Sequence, residues 1–432
     1  MKRCLLSTLL LLITLAAASQ QSKPCGTAIL ARHRTLVPPH YRATAPSRHR
    51  APALPLPRTF QGEKRGLVIL VAFPDQPFST VDPKQTWSDV ICRKGFAEHG
   101  APGSVSDYFY DQSYGQFSIS FDVVGPVVAA HPYAYYGKNI YWGGADWFDQ
   151  ADGKLVEEAC RAVADSVSFA DYDWDGDRCV DIVFLIYAGY GESDYWRHDE
   201  DVIWQHEGLL SVDWADSYPD GITLQGMVID TYACSNELAA DGSLAGHGTI
   251  CHEFSHCLGL KDHYDTVGGM SVTGQYDLMD SGNHNGDGWC PPGFSSFERY
   301  ACGWLAPEPV ADLQQVGSLQ PLHLQPDARI YREQPLDNAY YLIERRDDES
   351  WDRSLPSHGL MAWYVDYDEE AWSLNQVNGD YYHRRLNRVE MSRIPTGIAA
   401  ATAAPRIEAV YHVGPVTIIR YSDGAVRKVL AP

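Results

Sequence analysis

The stretch from Gly246 to Asp265, GHGTICHEFSHCLGLKDHYD, constrains this chain more than any other. It holds His-Glu-x-x-His at His252, Glu253 and His256, then Gly259 and Asp262. Helix positions four apart share one face, about one turn apart. The spacing therefore predicts a helix whose two imidazoles aim at a single point. Zinc accepts two such nitrogens and takes further ligands to reach four. Glu253, beside the first imidazole, is placed to act as a general base on water at the metal. The helix must then end quickly if a third ligand is to arrive. Gly259 permits the left-handed conformation that ends a helix, and Asp262 falls at the third-ligand position of the extended motif. The alternative for the bare five-residue pattern is a surface helix with two solvated histidines. Gly259 and Asp262 at fixed offsets argue against it, and Ile250, Phe254, Cys257, Leu258 and Leu260 give the helix an apolar back.

Two further clusters bear on metal binding. Downstream lies Tyr276-Asp277-Leu278-Met279-Asp280-Ser281-Gly282. A methionine turn beneath the metal accompanies extended zinc motifs, so Met279 is read as packing under the ligands. Upstream, residues 171–181 (DYDWDGDRCVD) place five carboxylates around Gly176. Calcium prefers such oxygen-rich loops. A full EF-hand fails, because no Glu stands at the twelfth position from Asp171 or Asp173. The shorter set Asp173, Asp175, Asp177 and Asp181 is a candidate calcium site, with a solvated acidic turn as the alternative. His206 reads as structural, since three zinc ligands are already supplied. Glu237 is open between a buried hydrogen-bonding role and a metal role.

The chain begins MKRCLLSTLLLLITLAAASQQ, with a charged start, an apolar middle and small residues at the end. This is the pattern of a signal peptide over 1–19. Its apolar run is short for a membrane span, and no other run is longer, so a secreted protein without a transmembrane anchor is expected. Ten cysteines are present, and losing Cys4 with the signal peptide leaves an odd count, which implies a free thiol or an external partner. Export permits disulfides, and Cys234 with Cys251 is one plausible pair. Residues 20–62 are rich in Pro, with Lys23 and six Arg but no Asp or Glu, in a chain of net charge −22. The remaining body is thus strongly acidic, which argues against a nucleic-acid partner. The basic segment is either a docked propeptide or an unfolded linker. Cys25, in Lys23-Pro24-Cys25-Gly26, is a candidate latency thiol, because thiolate is a strong zinc ligand able to close an open position.

At 432 residues the chain suggests about two to three domains. Residues 65–73 (RGLVILVAF) read as a buried strand. Residues 104–113 read as a serine-capped helix, 117–127 as a strand, 153–165 as a second core helix, and 181–187 (DIVFLIY) as another buried strand. Residues 190–250 read as irregular. Beyond Pro307 the pattern changes to short strands, at 339–344, 359–366 and a terminal hairpin at 416–421 and 426–430. Residues 396–405 read as a flexible link.

Taken together, RGLVILVAFPD, SVSDYFYDQSYGQFSISFDVVGPV, DWDGDRCVDIVFLIYAGYGE, CHEFSHCLGLKDHYD, YDLMDSG, PPGFSSFERYACGWL and YYLIERRDDESWDRSLPSHGLMAWYVDYD resemble the immune inhibitor A-like (thuringilysin) metallopeptidases, a metzincin group. The resemblance covers about 65–370. The alternation of strand and helix before 305 points to layered α and β elements, and the short strands beyond Pro307 to a smaller β-rich domain over 306–432. With these, the resemblance implies an α+β architecture, with a metzincin-like catalytic domain (a twisted sheet plus the active-site helix) over 63–305. It implies a secreted zinc endopeptidase acting on protein or peptide substrates, with His252, His256 and Asp262 as ligands and Glu253 as base. It also implies calcium stabilisation and a prosegment. Two departures stand out. His263 follows Asp262 and is a rival third ligand, and Ser281 stands where some metzincins keep a tyrosine. A catalytically silent binding or adhesion protein on the same fold is the alternative reading.

Overall fold

The computed structural model describes residues 60–142, 146–193, 201–333 and 338–394, with the backbone of three later strands, Ile407–Val413, Val416–Tyr421 and Val426–Leu430. The expected signal peptide, nearly all of the basic segment with Cys25, and the link at 396–405 lie outside the described residues.

The apolar run at 65–73 forms β1 (Gly62–Ala72). Successive strand side chains point to opposite faces, so Val68 and Leu70 enter one apolar core while Leu67, Ile69 and Val71 enter another. A strand buried on both faces needs covering elements on both sides. On the first side lie α1 (Pro83–Cys92) and α2 (Val105–Gln112), whose Trp87, Ile91, Tyr108 and Phe109 fill that core. The expected serine cap is present: Ser104 Oγ accepts the Asp107 amide proton, and the Asp107 carboxylate accepts the Ser104 amide proton. This reciprocal cap satisfies donors that a helix start leaves open. After β2 (Phe117–Val128) comes α3 (Asp152–Val163), which covers the opposite face through Leu155, Val156 and Ala159.

Three more strands complete the sheet: β3 (Val183–Tyr190), β4 (His206–Leu209) and β5 (Thr231–Leu238). The order is β2-β1-β3-β5-β4, with β4 the antiparallel edge and the other four parallel. The expectation of irregular structure over 190–250 fails here. β5 is an inner strand although its sequence, TYACSNEL, carries three polar residues in its second half. Those groups are buried but partnered. Glu237 Oε1 accepts the Ser79 amide and hydroxyl protons at 2.7 and 2.8 Å, and Asn236 Oδ1 accepts from Gln205 at 2.7 Å. Glu237 therefore takes the hydrogen-bonding role.

The ligand-motif helix, α4 (Gly248–Cys257), lies on the same side as α1 and α2, and α5 (Ser296–Ala301) follows it. The second sheet has the order β6 (Glu308–Val310), β7 (Arg329–Tyr331), β8 (Ala339–Arg346), β9 (Gly359–Asp366), β10 (Leu386–Val389). β6 runs parallel to β7 and the other pairs are antiparallel. Arg346 ties this sheet to the segment before α5. Its guanidinium donates to both Asp352 oxygens at 2.6 Å, to Glu344 at 2.9 Å and to the Gly293 carbonyl. Trp351 enters the same core as Phe254 and Met279. The result is a mixed α/β protein, and among the described residues no helix is long and apolar enough to cross a membrane.

The Cys234–Cys251 pair is not formed; both are free thiols. Cys234 faces the α3 side of the sheet and Cys251 the opposite core, so the sheet itself separates them.

Candidate metal centre

α4 begins where Gly248 N–H donates to the Gly288 carbonyl at 2.8 Å. A side chain at position 248 would place its Cβ 2.0 Å from the Asn283 carbonyl oxygen, so only glycine fits this approach. The helix buries Ile250, Cys251 and Phe254, with Phe254 against Phe109 at 4.6 Å between ring centroids. It ends at Leu258, and Gly259 has φ +84°. Gly259 N–H donates to the His256 carbonyl and Leu260 N–H to the Ser255 carbonyl. That pair of bonds is a Schellman termination, which requires the left-handed residue. The chain reverses within a few residues and carries Asp262 back over the helix.

The three expected ligands meet. His252 Nε2 lies 3.2 Å and His256 Nε2 3.3 Å from Asp262 Oδ1, and all three residues are buried. Ligand bonds of about 2.0–2.1 Å at tetrahedral angles put neighbouring donor atoms about 3.3–3.4 Å apart. The spacing is that of three corners of a zinc tetrahedron. The far nitrogens are also set. His256 Nδ1 donates to the Leu260 carbonyl at 2.9 Å and His252 Nδ1 to the Leu278 carbonyl at 2.7 Å. A carbonyl only accepts, so each Nδ1 carries the proton and each Nε2 presents its lone pair to the cluster. Burial pushes the Glu253 carboxyl up.

Met279 is fully buried in the core that holds Ile250, Phe254 and Leu258. The turn that contains it does more than pack, since the residue before it supplies the carbonyl that fixes His252. His263 is turned to another group. Its Nδ1 donates to Asp277 Oδ2 at 2.8 Å, and with Asp277 and Glu298 it forms a separate buried set of donor atoms. His206 is also elsewhere: Nδ1 donates to the Trp204 carbonyl and Nε2 lies 2.9 Å from Asp152. Asp173, Asp175 and Asp177 bring donor atoms within 4.8 Å of one another. Asp181 stands outside that set and accepts from the Trp174 amide, its pKa pushed up to about 6 by burial.

One participant had no motif to announce it. Asn375, beyond β9, donates from Nδ2 to Asp262 Oδ2 at 2.6 Å and accepts the Asp262 amide proton at 2.8 Å. Nothing in its flanking sequence marks it beyond a polar loop with Asn378-Gly379.

The sequence model of the family described as Immune inhibitor A peptidase M6, catalytic domain, matches residues 60–305. The Immune inhibitor A of Bacillus thuringiensis subsp. alesti is 24% identical over 237 residues, 46% of this chain and 33% of that protein. The pre-pro-metalloprotease PrtV of Vibrio cholerae serotype O1 (strain M66-2) is 25% identical over 287 residues, 55% of this chain and 30% of that protein. The chain thus spans about a third of the length of the curated relatives it matches. The family match covers more than half of the chain and contains the whole buried His-His-Asp cluster, and the chain belongs to the immune inhibitor A (M6) peptidase family.

Proposed function

We propose that this chain is a secreted zinc endopeptidase with a metzincin-like catalytic fold, in which His252, His256 and Asp262 hold the metal and Glu253 is the general base. The observation that carries the reading is the convergence of two Nε2 atoms on Asp262 Oδ1 at 3.2 and 3.3 Å. Zinc bound there would supply a Lewis acid for the scissile carbonyl and a more acidic water. Glu253 would take a water proton on its carboxylate and deliver it to the departing amine nitrogen. The Leu260 and Leu278 carbonyls keep the histidines in the ligating tautomer, and the burial of Met279 beneath α4 holds the turn that supplies the second of them. The sheet order with a single antiparallel edge strand supports the metzincin-like reading.

Around this centre the reading has five further parts. Residues 1–19 are a signal peptide, 20–62 a propeptide with Cys25 as latency thiol, 63–305 the catalytic domain and 306–432 a β-rich domain. Asp173, Asp175 and Asp177, whose donor atoms lie within 4.8 Å of one another, take calcium. The test of the central claim uses the wild-type protein, His252→Ala and Glu253→Gln, each measured for zinc content and for cleavage of casein. Wild type binds zinc and cleaves. His252→Ala loses both. Glu253→Gln keeps zinc and loses about 10²–10⁴-fold in rate. A wild type without zinc, or full activity in Glu253→Gln, refutes it.

A further inference from the structure

The family match stops at residue 305, yet a hydrogen-bond partner of the buried cluster lies beyond it. Between β9 and β10 the chain leaves the second sheet, makes a short helix at Glu369–Ser373 and reaches the loop that follows α4. Five contacts join the two. Asn375 grips Asp262 twice, Nδ2 to Oδ2 at 2.6 Å and Oδ1 from the backbone amide at 2.8 Å. Thr266 Oγ1 donates to the Asn375 carbonyl at 2.8 Å. Asn378 Nδ2 donates to the His263 carbonyl at 2.6 Å, and Arg384 pairs with Asp265 at 3.0 Å. The crossing segment is itself anchored, because Asn378 Oδ1 accepts the amide protons of Arg385 and Leu386.

The geometry at Asn375 is directed. A carboxylate has two oxygens, and it is Oδ1 of Asp262 that lies 3.2 and 3.3 Å from His252 and His256. The amide of Asn375 occupies Oδ2, so the carboxylate cannot rotate without breaking a buried bond, and an unpaired buried acceptor costs heavily. Asn375 has φ +53°, a conformation that asparagine tolerates better than most residues and that glycine adopts freely. Its side chain is almost wholly buried. Partners that orient a metal ligand typically change metal affinity by about 10–100-fold when removed.

We propose that Asn375 is a positioning residue for the third metal ligand, so that the metal site of this chain is completed by residues outside the matched family region. The proposal rests on Asp262 being a ligand. Its test compares full-length wild type, Asn375→Gly, Asn375→Asp, Asn378→Ala and His252→Ala by zinc competition with a chromophoric chelator and by thermal melting of the metal-free protein. Asn375→Gly keeps the backbone conformation and removes the amide; zinc affinity falls about 10–100-fold, beside a fall in metal-free melting from the two buried groups it unpairs. Asn375→Asp keeps the acceptor for the Asp262 amide and loses the donor to Oδ2, with the same fall in affinity, and it decides the matter if the glycine variant does not fold. Asn378→Ala loosens the same segment and leaves both Asn375–Asp262 bonds in place, so it lowers melting and reduces zinc affinity less than either Asn375 variant. Unchanged affinity in a folded Asn375 variant, or an equal loss in Asn378→Ala, overturns the positioning role. Failure of the metal reading itself is distinct: wild type would then bind no more zinc than His252→Ala.

Discussion

His247 precedes α4 and is fully buried between the rings of Trp289 and Trp351, at 5.6 and 5.9 Å between centroids. Neither ring nitrogen has a hydrogen-bond partner among the described residues. Burial alone pushes its pKa from 6.5 down to about 3. A positive charge here is also unfavourable because the helix start already carries partial positive charge. With the folded value below the unfolded one, this stability is whole above about pH 6.5 and is lost as pH falls toward 3. Each pKa unit is worth about 1.4 kcal/mol. At pH 5 the unfolded ring is mostly protonated and the folded ring neutral, a difference of about 1.5 units, or about 2 kcal/mol. At pH 7.5 the same calculation leaves roughly 0.1 kcal/mol.

His247→Leu fills a similar volume and cannot titrate. The assay is urea unfolding of both proteins by tryptophan fluorescence at pH 7.5 and pH 5.0, in chelator, so that zinc ligands do not enter. The quantity read is the difference between the two proteins in their change of unfolding free energy between the two pH values. The variant loses about 2 kcal/mol less than wild type. Every other titrating group is common to both proteins and cancels. Parallel loss in the two proteins would falsify the buried-neutral assignment of His247, whatever their absolute stabilities.

Four other expectations follow from named contacts. Met279→Ala opens a cavity under α4 and costs about 2–5 kcal/mol, whereas Met279→Leu costs under about 1.5 kcal/mol; urea midpoints separate them. Arg346→Met strands the buried Glu344 and Asp352 carboxylates and costs about 3–5 kcal/mol, read in the same assay. Zinc at about a hundred times its dissociation constant stabilises the fold by about 2.7 kcal/mol, so a chelator lowers the melting temperature of wild type but not of His252→Ala. Asp175→Asn reduces stabilisation by added calcium and leaves zinc content unchanged, which direct metal analysis resolves.

The parts of this molecule legible in its sequence are those that local physics dictates. The β1 run could only be a buried strand, Ser104 could be read as a cap from its place ahead of the apolar spacing of Val105, Tyr108 and Phe109, and the four-residue spacing of His252 and His256 implies one helix face. Gly259 announced its own role, since its position predicts the left-handed turn that the structure contains. β5 was missed for a physical reason. Its Asn236 and Glu237 break the apolar pattern of a buried strand, and their partners, Gln205 and Ser79, are distant in sequence. The same logic reaches its limit at Asn375, which lies 113 positions from Asp262. A hydrogen bond across that separation leaves no periodicity in either segment, because neither residue repeats and neither is apolar. Motif reading therefore finds the atoms that would touch the metal and misses the atoms that aim them. The aiming atoms here are two backbone carbonyls, of Leu260 and Leu278, and one amide from the far sheet. A chain that kept the His-Glu-x-x-His motif but lacked an equivalent of the 367–385 crossing would match the same family pattern, yet hold Asp262 with one carboxylate oxygen unfixed. On this argument, the motif alone is a weaker predictor of metal affinity than the motif together with that crossing.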